Sequence, residues 1–301
     1  MKEYINYYYH LTVVELRLTD GRYFFHDSKH RYLLQPVYFS PESLENIYSF
    51  HEYLRSKSAF YHQIIKNVQG NLFSMIDQKA YVLLELSNVP EEPISIHDLK
   101  IEWSIIVPKN YKYSRSHFPW FPLWEEKIDY FENAFSNRKK EFWMDSAVFD
   151  FFVGMGENAI SYMKETLKNF SSANELPFVP SHRRVFPHTN LIDFYNPLNI
   201  IIDLRVRDIA EYMKESFWKS QYNLTELENF LEEAHFSKVE AQLFFSRLLF
   251  PSFYFDYLER KELPKNLEDR LEEYQFFLTD IYSFLREQYA IEEIRWLKKK
   301  T

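Results

Sequence analysis

Two aspartates, Asp203 and Asp208, stand where an apolar β-branched run meets an amphipathic stretch, in the sequence IIIDLRVRDIAEYMK. A carboxylate at the end of a buried strand can bind a hard cation such as Mg²⁺, with Asp193 and Asn199 as possible further ligands. An acid in the first turn of a helix can instead serve the fold, because it accepts backbone N–H bonds. We therefore predict a structural role for Asp208, which would order the preceding loop. We favour a structural role for Asp203 as well, with metal binding as the alternative.

A second candidate site combines His182, His188 and Asp193, which fall in one irregular part of the chain. Two histidines and a carboxylate can bind zinc, but the helical spacing H-x-x-x-H is missing and the chain has no cysteine. Ordinary loop or packing roles are therefore predicted for both histidines. A serine hydrolase is not indicated, because no G-x-S-x-G motif occurs.

The composition narrows the class of protein. The 301 residues are 46% hydrophobic and 19% aromatic, which indicates a folded chain with a sizeable core. A formal charge of -8 disfavours nucleic acid or an anionic membrane as the main partner, and the basic run Lys298–Lys300 is interpreted as a solvated tail. The lack of cysteine is compatible with a cytoplasmic protein. Membrane insertion is not predicted, because the chain has no uninterrupted apolar run of about 18 residues. The four glycines, Gly21, Gly70, Gly154 and Gly156, form no phosphate-binding glycine motif.

The first hundred residues predict a β-rich unit with one helix. Three antiparallel strands are predicted in HLTVVELRL, RYFFHD and RYLLQPVYF, and Tyr7-Tyr8-Tyr9 is interpreted as a strand or its approach. Ser40 and Pro41 predict the N-cap and first residue of a helix that ends near Arg55. Two further strands are predicted in IIKNVQGNLFSMID and KAYVLLELS. The helix residues predicted to face the sheet are Leu44, Ile47, Tyr48 and Leu54.

Helical periodicity dominates after the proline-containing stretch Val89–Pro93, which predicts a β-rich lobe at 1–90 and a helical lobe at 91–301. Between Ser171 and Ile202 the pattern is irregular and contains four prolines, so a long functional loop is expected. The predicted helices are Leu123–Ser136, Val148–Asn169, Val206–Trp218, Leu224–Glu233, Lys238–Leu249, a short one after Pro251, Leu267–Tyr289 and Ile291–Lys299.

Six stretches in order carry a resemblance to a known family: YLLQPV, AYVLLEL, LWEEKIDYFE, GMGENAISYM, SHRR and DLRVRDIAEYMK. The chain resembles the spore coat proteins of the YutH and CotS type, which belong to the aminoglycoside-phosphotransferase-like branch of the protein-kinase-like fold. The resemblance implies an α+β, two-lobe fold, with a small antiparallel N-terminal β lobe carrying one helix and a larger, mainly helical C-terminal lobe. A hinge would follow the fifth strand, near Leu86–Val89.

The resemblance also implies where catalytic residues would stand. A lysine of the third strand pairs with phosphates in active relatives, and Gln35 takes its position here. The family's H-x-D-x-x-x-x-N loop corresponds to His182-Arg183-Arg184, so that Arg184 replaces the catalytic aspartate. Arginine cannot act as a base at neutral pH. The asparagine position falls on Thr189, with Asn190 one residue later.

Two alignments of Asp203 stay open. In one, Asp203 and Asp208 match the two aspartates of a G-D-P-x-x-D-L-A type segment, and the strand with the metal-binding aspartate is shortened away. In the other, Asp203 itself takes the metal position after the strand Asn199–Ile202.

Two other features have both a functional and a structural interpretation. Glu157 and Asn158 follow two glycines, and the structural interpretation is a helix start where glycine permits close packing. The aromatic segment FPWFPLW, residues 118–124, could bind a partner, although most aromatics in so aromatic a chain must be core.

These observations favour a degenerate kinase-like protein, or pseudokinase, without a cofactor. By resemblance it would act in spore coat assembly through contacts with other proteins such as coat components, in the cytoplasm or the spore coat of the mother cell. The alternative is an atypical ATP-dependent phosphotransferase that holds Mg²⁺ through Asp193 or Asp203 and binds ATP at the hinge residues Leu84, Glu85 and Leu86. A third interpretation is a helical scaffold with a β-rich module and no kinase ancestry.

Overall fold

The computed structural model of the chain describes residues 1–108, 118–137, 146–170, 176–260 and 267–294. These residues form two compact units. The first contains Met1–Ile94, Val107, Pro108 and His188–Ile202, and the second contains the described residues of Ser95–Ile106, Ser116–Pro187 and Asp203–Thr301. The units describe packing rather than independent folding, so the lobe limits 1–90 and 91–301 stay a prediction. The tail Lys298–Lys300 lies outside the described residues.

The first unit is built on an antiparallel sheet with the strand order β1-β2-β3-β6-β4, and β5 also pairs with β6. In the register of the central pair, Leu33 lies opposite Leu84 and Gln35 opposite Val82. The sheet therefore has six strands rather than five. The bounds in this unit are α1 Lys2–Tyr9, β1 Glu15–Thr19, β2 Arg22–His26, β3 Arg31–Val37, α2 Pro41–Lys57, β4 Gln63–Ile65, β5 Ser74–Ile76, β6 Lys79–Glu85 and α6 Leu191–Phe194.

The fourth predicted strand, in IIKNVQGNLFSMID, is two short strands joined by a turn. The side chain of Asn67 closes this turn, since its amide oxygen accepts the N–H groups of Gln69 and Asn71 at 3.0 Å each. Gly70 has a φ of 82°, which a residue with a side chain adopts only with strain. Local turn chemistry thus divides an apolar run that reads as one strand.

The tyrosines Tyr7-Tyr8-Tyr9 lie in helix α1, so their interpretation as a strand is wrong. Ile5 and Tyr9 of this helix are buried in the core on one face of the sheet. The Tyr9 hydroxyl also accepts a hydrogen bond from Ser74 at 3.1 Å. Packing against the sheet overrides the β propensity of tyrosine here.

Helix α2 begins as predicted. Ser40 is its N-cap and accepts the N–H of Ser43 at 3.2 Å, and Pro41 is its first residue. Leu44, Ile47 and Leu54 are buried as predicted, whereas Tyr48 is only half-buried. The remaining buried positions of α2 are Phe50 and His51.

The second unit is mainly helical, with α9 packed against both α5 and α7. The predicted bounds of α7 and α9 are confirmed, and a capping box of Ser237 and Glu240 begins α9. The bounds in this unit are α3 Asp98–Glu102, α4 Phe121–Asn137, α5 Ser146–Lys168, β7 Phe178–His182, α7 Val206–Trp218, α8 Leu224–Ala234, α9 Lys238–Leu249, α10 Ser252–Arg260, a 3₁₀ turn Glu268–Arg270 and α11 Leu271–Tyr289.

The predicted helix Ile291–Lys299 is described only over residues 291–294, and these residues are not helical. Helix α11 ends at Tyr289, and Ala290, which caps its C-terminus, has a φ of 51°. The following N–H of Ile294 donates to the Tyr282 hydroxyl at 2.7 Å, so residues 291–294 run in a non-helical conformation. Its remaining residues lie outside the described part of the chain.

The segment 171–202 is more regular than predicted in its described residues. It contains β7, α6 and the start of β8 (Ile200–Leu204), and β7 and β8 form a two-stranded sheet. Asn190 begins α6 because its side chain accepts the N–H of Ile192 at 2.8 Å. Among the described residues, none of the helices has both the length and the apolar character needed to cross a membrane.

Candidate functional site

Asp203 is fully buried at the end of β8 and is surrounded by hydrogen-bond donors of its own unit. The indole N–H of Trp120 lies 3.1 and 3.0 Å from its two oxygens, and the N–H of Leu204 donates at 2.8 Å. The Arg207 Nε lies 3.4 Å from Asp203 Oδ2. Burial raises the pKa of Asp203, against the opposing positive charges of Arg207 and Arg247. The carboxylate is therefore held by donors and cations that the protein itself supplies.

Arg207 and Asp208 lie in the first turn of α7. They tie the end of β7 and the residue after it to that helix. The Asp208 carboxylate accepts the backbone N–H of His182 at 2.9 Å and the His182 Nδ1–H at 2.7 Å. The Arg207 guanidinium donates to Asp208 at 2.8 Å, to the Arg183 carbonyl at 3.0 Å and to the His182 carbonyl. Asp208 thus orders the preceding loop by long-range bonds and does not cap its own helix, whose N-cap residue is Arg205.

Arg184, at the position predicted for the catalytic base, forms an ion pair with Asp256 of α10. The same aspartate accepts from the Lys127 ammonium at 2.8 Å, and Lys127 also lies 3.2 Å from Glu259. The Asp256 side chain is only 17% exposed, while that of Arg184 is 49% exposed. A guanidinium engaged in this way can position a loop but cannot accept a proton.

A network of buried charges lies beside Asp203. Glu211 accepts from Arg247 Nε at 2.6 Å, from Lys214 Nζ at 3.1 Å and from the Ser252 hydroxyl at 2.8 Å. Burial disfavours the charged form of Glu211, yet Lys214 and Arg247 hold its pKa well below the usual range. Burial lowers the pKa of Lys214 to about 8.

The second unit contains a cavity of about 220 Å³ that is lined in part by Asp203, Glu211, Arg247 and Ser252. Its wall includes Trp120 and Trp124, and the Arg247 guanidinium lies 4.9 Å from the ring centre of the first and 5.6 Å from that of the second. Ion pairs join the three carboxylates Asp203, Asp208 and Glu211 to the three cations Arg207, Lys214 and Arg247.

In the first unit, Gln35 of β3 is bonded to the buried Asn196. The Asn196 amide donates to Gln35 Oε1 at 2.8 Å, and its own oxygen accepts the N–H of Leu198 at 3.0 Å. Asp193 lies nearby in sequence and binds Arg22 through both guanidinium nitrogens, with one of the two contacts at 3.3 Å. The position expected for a phosphate-binding lysine is therefore occupied by an amide pair.

The residues predicted to hold a nucleotide lie at the end of β6. Leu84 is fully buried in the sheet, and the N–H of Leu86 donates to the Arg31 carbonyl at 2.8 Å. Leu86 borders a surface cavity of about 210 Å³ with Phe24 and Arg17. The Arg17 guanidinium lies 5.3 Å from the centre of the Phe24 ring.

Several sequence candidates occupy structural positions. Among the described residues, no three His, Asp or Glu side chains are grouped as a metal site would require. Thr189 contributes its carbonyl to the N–H of Ile94 at 2.8 Å. Asn199 donates its side-chain amide to the Asp193 carbonyl at 3.0 Å.

Glu157 and Asn158 lie in the middle of α5, so the predicted helix start is wrong. The close approach expected at glycine is present, because a Cβ on Gly156 would lie 2.8 Å from Ile128 Cδ1. In the aromatic segment, Trp120 and Trp124 are core residues, and Leu123 is 44% exposed.

Sequence reasoning missed Trp120, Arg247, Glu211 and Lys214 as members of the Asp203 network. The available signal was a charged residue on an apolar helical face, as with Lys214 in IAEYMKESF and Arg247 in LFFSRLL. No sequence signal links Trp120 to Asp203, since 83 residues separate them.

Comparisons with known proteins agree with this architecture. The family model described as "Spore coat putative kinase YutH" matches residues 2–288. The endospore coat-associated protein YutH of Bacillus subtilis (strain 168) is 27% identical over 280 residues, covering 83% of this chain and 80% of that protein.

Two solved structures share the fold. An aminoglycoside phosphotransferase from Alicyclobacillus acidocaldarius superposes with a TM-score of 0.67 at 11% identity, covering 95% of this chain and 97% of the other. Spectinomycin phosphotransferase APH(9)-Ia, solved with ADP and spectinomycin, has a TM-score of 0.60 at 13% identity, with coverage of 95% and 97%. These likenesses confirm the predicted kinase-like α+β fold.

Proposed function

The chain belongs to the spore coat YutH family, and we propose that it has lost phosphoryl transfer and acts through protein contacts in the endospore coat or its assembly. The main support for the loss of phosphoryl transfer is that Trp120 and Arg207 enclose Asp203. A magnesium ion at this carboxylate would have to displace donors already present and would meet the positive charges of Arg207 and Arg247.

Two further positions support the loss of transfer. Gln35 carries no charge with which to hold a phosphate, and its oxygen is used by Asn196. Arg184 cannot deprotonate an acceptor hydroxyl, and its guanidinium is paired with Asp256. Each of the three positions therefore has a structural contact in its own unit instead of a catalytic group.

The first test measures nucleotide binding and turnover in the whole chain. Calorimetric titration with ATP and Mg²⁺ is expected to show no metal-dependent binding, and labelled ATP is expected to show no turnover above a buffer control. The matched variant is Asp203→Asn, which keeps the shape of the side chain. Stoichiometric, metal-dependent binding or ATP turnover that this variant abolishes would overturn the proposal.

The second test addresses location. The relative YutH of Bacillus subtilis is described as endospore coat-associated, which supports a coat role for this chain. A fluorescent fusion produced during sporulation of a spore-forming host is expected to collect at the forespore surface. An even distribution through the mother cell would contradict the coat role, while a matching distribution of Asp203→Asn would show that the role does not need this carboxylate.

A further inference from the structure

Strand β1 is the outer strand of the six-stranded sheet, and among the described residues it pairs only with β2. The strand is solvent-exposed except for Leu16, which is half-buried against the core of the first unit. An outer strand presents unpaired N–H and C=O groups to which another strand can bond. The charges and the exposed side chains of β1 therefore decide which partner strand it can pair with.

The hairpin geometry shows which peptide groups face outward. Asp20 and Gly21 both have positive φ, at 51° and 74°, as in a two-residue type I′ turn. Thr19 and Arg22 flank this turn and form a hydrogen-bonded pair in such hairpins. Because bonding alternates along a strand, Glu15 and Arg17 also bond towards β2, and the peptide groups of Leu16 and Leu18 face away from it. The alternation ends at Glu15, because the N–H of Val14, just before the strand, also donates to the His26 carbonyl of β2 at 3.0 Å.

The side chains of β1 are exposed on both faces of the sheet edge. Leu18, on one face, is 60% exposed. The side chains of Glu15 and Arg17 are 78% and 58% exposed. Within the chain, Glu15 lies 3.7 Å from His26, and Arg17 lies 3.6 Å from Glu91 and 5.3 Å from the centre of the Phe24 ring. A partner would therefore compete with these exposed contacts for both charges.

We propose that β1 is a homodimerisation edge that pairs antiparallel with β1 of a second copy, with the twofold axis at Leu16. In this register Glu15 of each copy lies opposite Arg17 of the other. Opposite charges that face each other across two strands are stabilising. The outward peptide groups of the two Leu16 residues meet and can exchange both backbone hydrogen bonds.

The other antiparallel registers that align outward groups are worse. An axis at Arg17 places two arginines opposite each other, and an axis at Glu15 does the same for two glutamates, which is destabilising. An axis at Leu18 places Leu16 opposite Asp20. Self-complementarity thus selects a second copy in a single register, and this inference does not depend on whether phosphoryl transfer is lost.

The first experiment is a charge swap on the full chain, followed by analytical ultracentrifugation. The wild type is expected to dimerise at concentrations of about 0.1 mM or below. Arg17→Glu and Glu15→Arg should each raise the dissociation constant by about tenfold or more, because both symmetric pairs become repulsive. The double variant Glu15→Arg/Arg17→Glu should restore the wild-type constant. Unchanged thermal melting of all three variants serves as the folding control.

The second experiment fixes the register and uses the absence of native cysteine. A mixture of Glu15→Cys and Arg17→Cys chains should form an intermolecular disulfide, because the two positions lie opposite each other and the second ion pair is kept. Neither variant alone should cross-link through this edge. A monomeric wild type, a dimer unaffected by the charge changes, or cross-linking of Arg17→Cys alone would overturn the proposal.

Discussion

The indole N–H of Trp120 donates to both carboxylate oxygens of Asp203, at 3.1 and 3.0 Å. Both side chains are buried, with exposed fractions of 1% and 0%. Removing a donor from a buried carboxylate costs free energy, because the oxygen loses a hydrogen bond that it makes in the folded protein. The stability of the second unit should therefore depend on this pair.

Trp120→Phe removes the donor and keeps the ring that lies under Arg247. We expect a loss of about 1–3 kcal/mol in the free energy of unfolding, because a buried acceptor loses a hydrogen bond. Urea denaturation measures this change. In an Asp203→Asn background the loss should be smaller, since the charge that needs the donor is gone. The control is Trp124→Phe, whose cost in the free energy of unfolding should be the same with Asp203 and with Asp203→Asn. A dependence on Asp203→Asn as large as that of Trp120→Phe would contradict the argument.

The histidines His51 and His62 should make the first unit acid-sensitive. Burial lowers the pKa of each from 6.5 to about 4, and His62 Nδ1 accepts the N–H of Ser87 at 3.1 Å. Between pH 6.5 and 4 the unfolded chain therefore binds protons that the folded chain does not, so stability falls as the pH falls. We expect a loss of about 2 kcal/mol per histidine between pH 7 and pH 5.

Urea denaturation at pH 7 and pH 5 tests this dependence. His51→Gln and His62→Gln should each be less stable than the wild type at pH 7. In each variant the free energy of unfolding should differ less between pH 7 and pH 5 than it does in the wild type. A difference that persists in the double variant would assign the acid sensitivity to other groups.

Gln35→Lys alone should not create nucleotide binding. The lysine would remove the acceptor of the buried Asn196 amide, and Asp203 would keep its donors. We expect a loss of stability of about 1–3 kcal/mol, since a buried donor is left unsatisfied. A thermal shift assay with and without ATP and Mg²⁺ measures both effects. The control is Gln35→Glu, which retains an acceptor for Asn196, and a nucleotide-dependent shift with Gln35→Lys alone would contradict the prediction.

The two glycines of α5 should differ in their response to alanine. A Cβ on Gly154 meets no atom within 4 Å, whereas one on Gly156 would lie 2.8 Å from Ile128 Cδ1. Gly154→Ala should stabilise the helix by about 0.5–1 kcal/mol, because alanine has the higher helix propensity. Gly156→Ala should gain less, and Ile128→Val, which removes Cδ1, should recover part of the difference. Thermal or urea unfolding measures these changes in Gly154→Ala, Gly156→Ala, Ile128→Val and the double variant Gly156→Ala/Ile128→Val.

The regular helices were predictable because periodicity and capping are local signals. Val206–Trp218 and Lys238–Leu249 follow their predicted bounds, and Ser40 caps its helix through the contact that its sequence position implies. Predictions failed where packing outweighs propensity, as in the helix that contains Tyr7, Tyr8 and Tyr9. They also failed where one turn residue, Asn67, divides an apolar run.

The sequence by itself determined the kinase-like fold and the family, and it predicts which residues stand at the catalytic positions, since these depend on residue types and their order. Only the tertiary structure decided what those residues contact. It pairs Asp203 with Trp120, Gln35 with Asn196 and Arg184 with Asp256. These partners lie 83, 161 and 72 residues apart in the chain, and no local pattern records such contacts because folding of the whole unit brings them together.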